Sequence, residues 1–400
     1  MARPLDLLVA FSIVLCSRPA FADYTVDLGT KNSIPSYCQE GLTWCGAAIG
    51  EMILEGYPGG VKYVHPQSYI MGRIQAHKDD TPAARKKWAT DPDALRDTLQ
   101  DLGGGGGVSW RSEGNAQAQS LTYDVLYSMA NTDYPAAALI FFGLHWIMIE
   151  KFVTDKDPRS NNPVELKTIG IVNPLKSPCP FAGSGGLRSV MVGSTWYASY
   201  LYSRFPVSII GSKWKGKYVA VAEGEAAPTI GMALAEMQPT EGVVISNAAA
   251  LKAARGALDN LDLLKNRPYD TLGQSDPLDA LLVNLDENAY YIVPFAYADS
   301  TISIGAVIVN AYSGQFQEAA VFPKPIRFLP KDEAIRLALG YVCNCSYPPE
   351  SVLSKLIFKP SDASQTRFLP VWQLIVGSEV VYVSQEGKVF RNLPQSVPGG

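Results

Sequence analysis

Residues 37–50 read YCQEGLTWCGAAIG, and the role given to Cys45 in this stretch decides how the rest of the chain is read. The cysteine opens CGAAIGEMILEGY, in which Ala48 and Met52, with Ile49 and Ile53 on the adjacent stripe, recur at helical spacing before Gly56 and Pro58 close the segment. The spacing predicts a buried helix that begins at Cys45. A helix start carries partial positive charge, which favours a thiolate over a thiol, and Cys45 is the one cysteine so placed. Two readings follow: a disulfide-bonded helix start, or a nucleophile.

Residues 1–22 hold Arg3, the apolar run LLVAFSIVLC and then Ala20-Phe21-Ala22, a small-x-small cleavage pattern, so they read as a signal peptide with Asp23 as the first mature residue. The expected localisation is exported, periplasmic or extracellular. No later stretch approaches the roughly 20 apolar residues of a membrane span, so no membrane span is expected. Lipid attachment at Cys16 is the minor alternative, because Val14-Leu15 is a poor lead for it. With 400 residues, 47% hydrophobic and 18% charged, the chain can bury a full core and suggests two or three domains. A net charge of −4, with no basic cluster beyond Lys213, Lys215 and Lys217, argues against a nucleic-acid partner.

Without Cys16, five cysteines remain, at 38, 45, 179, 343 and 345. An odd number in an oxidising compartment leaves at least one thiol outside intrachain pairing. Cys343-Asn-Cys345 lacks a second ligand pair and a nearby histidine, so no metal site is expected, and no cofactor motif stands out. The five glycines 103–107 follow the helical PDALRDTLQDL and lack the Lys-Ser/Thr of a phosphate loop, so they read as a loop bordering the cleft.

From Pro135 the period changes to short apolar runs, AAALIFFG, LHWIMIEKFVTD and KTIGIVNP, which read as three adjacent strands; STWYASYLYSRF reads as an aromatic-rich helix. The first domain is placed at 23–212. Beyond it, NAAALKAARGALDNLDLLKN precedes AYYIVPFAY and IGAVIVNAYSGQFQEAAVF, and KDEAIRLALGYV precedes FLPVWQLIVGS and EVVYVSQEGKVF. Helix followed by hairpin thus occurs twice, dividing the remainder into repeats at 213–322 and 323–400. The fold class expected is α+β.

An imidazole base for Cys45 must come from His65, His77 or His145, the only histidines in the chain. His65 precedes a proline and His77 sits among Lys78, Asp79 and Asp80, ordinary solvated settings. His145 lies at the head of an apolar strand, where a polar ring is out of character unless something engages it. Asn173 comes 28 residues later, at the end of a strand that would pair beside that of His145, with its amide placed to orient the imidazole. A satisfied core histidine and a plain Asn-Pro turn are the competing readings.

Gln39, Cys45, His145 and Asn173, in this order, resemble the papain-like cysteine peptidases, with a Gln six residues before a Cys that opens the central helix, and His and Asn on an antiparallel sheet. Gly143-Leu-His145-Trp146 and the strand ending in Asn173-Pro174 are similar to the compact bacterial branch, the bacteriocin-leader (double-glycine) peptidase-like domains. That branch commonly has Asp-Pro at this point, and the Asn-Ser-Trp-Gly of plant and lysosomal members is absent. The resemblance implies a thiolate–imidazolium pair of Cys45 and His145, orientation by Asn173, and an oxyanion hole from Gln39 and the Cys45 N–H. It implies a peptide or protein substrate and hydrolysis through an acyl-enzyme, with Trp146 or Trp196 shielding the site. Cys38 then pairs with Cys179 as a staple across the cleft, favoured by the oxidising compartment. Amide or peptidyl transfer by the same site, or a silent papain-like fold used as a protein-binding module of the cell envelope, are the alternatives.

The two C-terminal repeats resemble PepSY-type domains, through an Ala-rich helix, a Val-Trp strand and a Tyr-Val strand followed by Gly-x-Val. Such modules accompany peptidase propeptides, so the resemblance implies intramolecular inhibition of the catalytic domain; an ordinary accessory domain carries the same pattern.

Overall fold

In a computed structural model the residues described are 23–58, 64–78, 88–103, 108–160, 162–175, 185–204, 213–228, 232, 242–285, 288–342 and 348–395. The signal-peptide stretch, Cys179, Cys343, Cys345 and the glycines from 104 to 107 lie outside them. The structure is mixed helix and sheet.

The N-terminal half runs β1 (Tyr24–Asp27), α1 (Leu28–Lys31), α2 (Cys45–Glu55), α3 (Gln67–Lys78), α4 (Pro92–Gly103), β2 (Trp110–Asn115) and α5 (Ala118–Thr132). It continues with β3 (Ala136–Ile140), β4 (His145–Thr154), β5 (Leu166–Asn173), β6 (Leu187–Val192), the helical turn α6 (Gly193–Thr195) and β7 (Tyr218–Glu223). The expected aromatic helix is this short turn, which widens into a π-type turn over Trp196–Tyr200 and ends in bends. The C-terminal half follows with α7 (Asn247–Asn260), β8 (Asp276–Pro277), β9 (Leu281–Asn284), β10 (Ala289–Ala296), β11 (Ser303–Asn310) and β12 (Phe316–Ile326). Last come α8 (Lys331–Val342), β13 (Leu353–Ile357), β14 (Val371–Val376), β15 (Glu379–Val383) and β16 (Val389–Phe390).

All these strands belong to one sheet, which is antiparallel throughout except where β13 meets β9. Its order is β16-β15-β14-β13-β9-β10-β11-β12-β6-β5-β4-β3-β7-β2, with β1 beside β4 and β8 beside β10. The halves of the chain join through the pairing of β12 with β6, register Glu318↔Met191 to Val321↔Arg188. Strand β7, although it follows residue 212, returns to pair with β2 and β3.

Apolar alternation explains the layering. On β10, Tyr290 and Ile292 face the core that also holds Cys45, Met52 and Trp146, while Tyr291, Val293 and Phe295 face a second core under α7. A strand buried on both faces reads as a continuous apolar run, as AYYIVPFA does. Ala334, Ile335 and Ala338 of α8 pack on Leu374, Val381 and Val383 as a third cluster. Phe358, Phe368 and Leu369, from the far end of the chain, belong to the first core with Cys45. Burial of these side chains draws the last segment into the first core.

Candidate active site

Helix α2 begins at Cys45 with Trp44 as its cap residue, and no side chain caps it. The first backbone N–H groups of the helix therefore keep their partial positive charge at the thiol. Cys45 is fully buried and outside any disulfide. Its sulfur accepts a hydrogen bond from the Trp146 N–H at 3.4 Å, which seats the helix start on the head of β4 beside His145. Gly46 is needed for this fit, because a Cβ there would collide with the Thr90 side chain, and the Thr90 carbonyl in turn accepts from the Trp146 indole at 3.3 Å.

Strand β4 is entered through Phe141, Phe142 and Gly143, all with positive φ (51°, 61° and 80°). Two consecutive phenylalanines in the left-handed region are a costly backbone choice. Stacking of Phe141 on Tyr200 at 5.4 Å and its edge contact with Phe358 at 5.9 Å hold the turn. Antiparallel pairing Met148↔Val172 brings Asn173, the next residue of β5, to the His145 end of β4.

His145 Nε2 and Asn173 Oδ1 are 2.8 Å apart in a buried contact. The orientation of the amide is fixed independently: Oδ1 also accepts from the Leu175 N–H at 3.0 Å, and Nδ2 donates to the Gln365 carbonyl at 3.0 Å. With the oxygen so assigned, Nε2 must be the protonated nitrogen of the ring, and Nδ1 is the nitrogen left for acid–base work. Leu175 itself has φ +37°, so backbone strain flanks both members of the pair.

Gln39 is 1% exposed and is tied to the same segment by its backbone N–H, which donates to the Pro174 carbonyl at 2.8 Å. Its Nε2 donates to the Gly41 carbonyl at 2.9 Å, which leaves the second amide hydrogen available. The structure thus gathers Cys45, His145 and Asn173 at the meeting of α2, β4 and β5, with Gln39 linked to them through Pro174. His65 and His77 have other engagements: His65 stacks on Tyr69 at 4.9 Å, and His77 lies 2.9 Å from Asp101.

Cys38 is disulfide-bonded; its expected partner, Cys179, lies outside the described residues. Trp146 lies against the site through its backbone, whereas Trp196, also named as a shield, packs under α5 with its indole on Thr122 at 3.0 Å. Among the described residues no cluster of three or more His, Cys, Asp or Glu could hold a metal ion, and no helix is long and apolar enough to cross a membrane.

The site also carries a cover that no motif of the sequence marks. Phe141, Leu144, Pro360, Ser361 and Gln365 close around His145, leaving a void of only about 10 Å³. That is room for no more than about one water molecule. His145 is 3% exposed and Asn173 2%. Nothing in the local sequence of residues 358–369 marks it as a partner of a site more than 180 positions earlier, and such contacts leave no periodic signal. No protein-family model matches the chain, and no curated protein or solved structure matches it.

Proposed function

We propose that the chain is a cysteine peptidase, built on a papain-like arrangement, that cleaves peptide bonds through an acyl-enzyme. The reading is carried by the doubly anchored Asn173 amide, which dictates the tautomer of His145 on a strand whose head lies against the sulfur at a helix start. In this mechanism Nδ1 of His145 takes the Cys45 proton, and the imidazolium so formed keeps its Nε2–H on Asn173. The thiolate attacks the substrate carbonyl. Gln39 Nε2 and the Cys45 N–H stabilise the oxyanion, each such donor being worth roughly 3 kcal/mol. His145 returns its proton to the leaving amine, and water, or an amine acceptor in the transferase variant, then releases the acyl group. The disulfide at Cys38 suits work outside the cytoplasm.

The burial of the whole site favours one rival, a silent fold used for protein binding. The pH profile of alkylation separates them. Residues 23–400 are treated with fluorescent iodoacetamide from pH 4 to 8, and the label on Cys45 is followed by peptide mass spectrometry. A closed site slows labelling at every pH alike, so the shape of the profile reports the thiolate. Labelling that persists at pH 5 and is lost in His145→Ala is expected; a profile rising only near the ordinary thiol pKa of about 8.5 overturns the proposal.

A further inference from the structure

Segment 358–369 has no regular secondary structure apart from an isolated bridge between Ser361 and Ser364, yet Phe358, Ser361 and all of 364–369 are buried, with Lys359 exposed and Pro360, Asp362 and Ala363 half-buried. Irregular segments ordinarily run over the surface, since burial obliges each backbone polar group to find a partner. Here the partners are supplied. The Gln365 carbonyl accepts from Asn173 Nδ2 at 3.0 Å, the Arg367 carbonyl from the Tyr290 hydroxyl at 2.9 Å, and the Leu369 carbonyl from the Ser364 hydroxyl at 2.8 Å.

The far end is held by a buried charge. The Arg367 guanidinium is 2% exposed, lies 3.7 Å from the Glu318 carboxylate and 4.4 Å from the Tyr290 ring centre, and donates to Gln317. Glu318 also accepts from the Tyr200 hydroxyl at 2.7 Å, and Tyr200 stacks on Phe141, the residue that opens the turn into His145. The clamp on the segment and the turn that aims the histidine therefore share one aromatic ring. At the near end Ser361, 3% exposed, faces the void at His145, and its hydroxyl has no hydrogen-bond partner among the described residues. Burying a hydroxyl without a hydrogen bond costs free energy that exposure to water returns.

We infer that segment 358–369 is a lid that keeps the thiol site latent: its Gln365 carbonyl occupies Asn173, Pro360 and Ser361 fill the space over His145, and Arg367 fastens it to Glu318. This rests on the peptidase reading. The lid excludes substrate and also water, so Cys45 and His145 stay assembled but unused until the segment is displaced.

The test is the absolute labelling rate of Cys45 in full-length mature protein, in two variants beside the unaltered chain. Ser361→Lys drives a charge into a void too small for it; Arg367→Gln removes the clamp. Circular dichroism and melting establish that each is folded. An increase of about tenfold or more in either folded variant, corresponding to about 1.4 kcal/mol of weakened closure, is the expected result. Rates equal to the unaltered chain in every folded variant overturn the lid. Hydrogen exchange of the unaltered chain decides the matter if neither variant folds: a lid exposes 361–369 below the urea concentration that unfolds β4 and β5. Exchange of the segment only together with those strands identifies a permanent plug and overturns it too. Faster labelling with an ordinary thiol pH profile keeps the lid and sinks the peptidase, so the two proposals fail separately.

Discussion

Asn173 is the residue on which catalysis and closure meet, because its oxygen serves His145 and its nitrogen serves Gln365. Changing it to Asp separates the two. A carboxylate still accepts from His145 Nε2 and from the Leu175 N–H, but its second oxygen faces the Gln365 carbonyl, acceptor against acceptor. Loss of a buried hydrogen bond costs about 1–3 kcal/mol. Asn173→Asp should therefore label at Cys45 roughly five- to a hundredfold faster while keeping an acid-persistent profile. Asn173→Ala should lose that profile, since nothing then fixes the ring. Identical pH profiles for the two variants, measured by the same alkylation assay, would show that Asn173 does not orient His145. The residue types of the site were legible because Cys, His and Asn each sit where their surroundings do not explain them. The role of the Asn173 nitrogen was not, as its partner is a backbone carbonyl and any residue at 365 would offer one.

At the level of elements, the helix at Cys45 and the strands at 136–140, 145–154 and 166–173 could be read directly, because each is a compact apolar pattern bounded by glycine, proline or polar turns. The stretch STWYASYLYSRF is helical only as far as Tyr200: a short α turn widens into a π-type turn over Trp196–Tyr200, where Trp196 and Tyr200 stack at 6.0 Å, and the chain then breaks into bends. Close approach of backbones was also hidden. Gly186, just before β6, has no room for a side chain: a Cβ would lie 2.6 Å from the Tyr37 carbonyl oxygen and 2.8 Å from that of Asn173. Backbone cannot swing aside as a side chain would, so Gly186→Ala must push the Gln39 loop and β5 apart. The expected cost is about 1–3 kcal/mol, seen as a lower Tm, together with loss of the acid-persistent labelling of Cys45. A lowered Tm with the pH profile intact would show that the site tolerates this displacement.

At the scale of the molecule the sheet carries the N-terminal half into the C-terminal half through β6 and β12, and no sequence pattern announces which strands of two distant segments will pair. Along the same sheet, β4 exchanges one neighbour for another, β3 pairing with 145–149 and β1 with 151–154, and at the same point, Glu150, the register of β4 against β5 slips. The slip sends the Glu150 carboxyl beneath Gly29 and within 3.3 Å of Arg188. Burial raises its pKa to about 7, more than Arg188 offsets. Glu51 on α2 is raised to about 7 as well, again chiefly by burial, though it is partly exposed and weighs less. Both native pKa values exceed the unfolded value of about 4.3. The folded protein accordingly binds more protons than the unfolded chain across pH 4.5 to 7, and stability falls as pH rises through that window. For Glu150 the fall is at most about 4 kcal/mol. Glu150→Gln, which cannot ionise, should flatten the decline of Tm between pH 5 and 8, whatever its effect on the absolute value through Arg188. A slope unchanged from the parent protein would mean that Glu150 ionises in the native state as readily as in the unfolded one, and that the junction of β1, β3 and β4 is open to water.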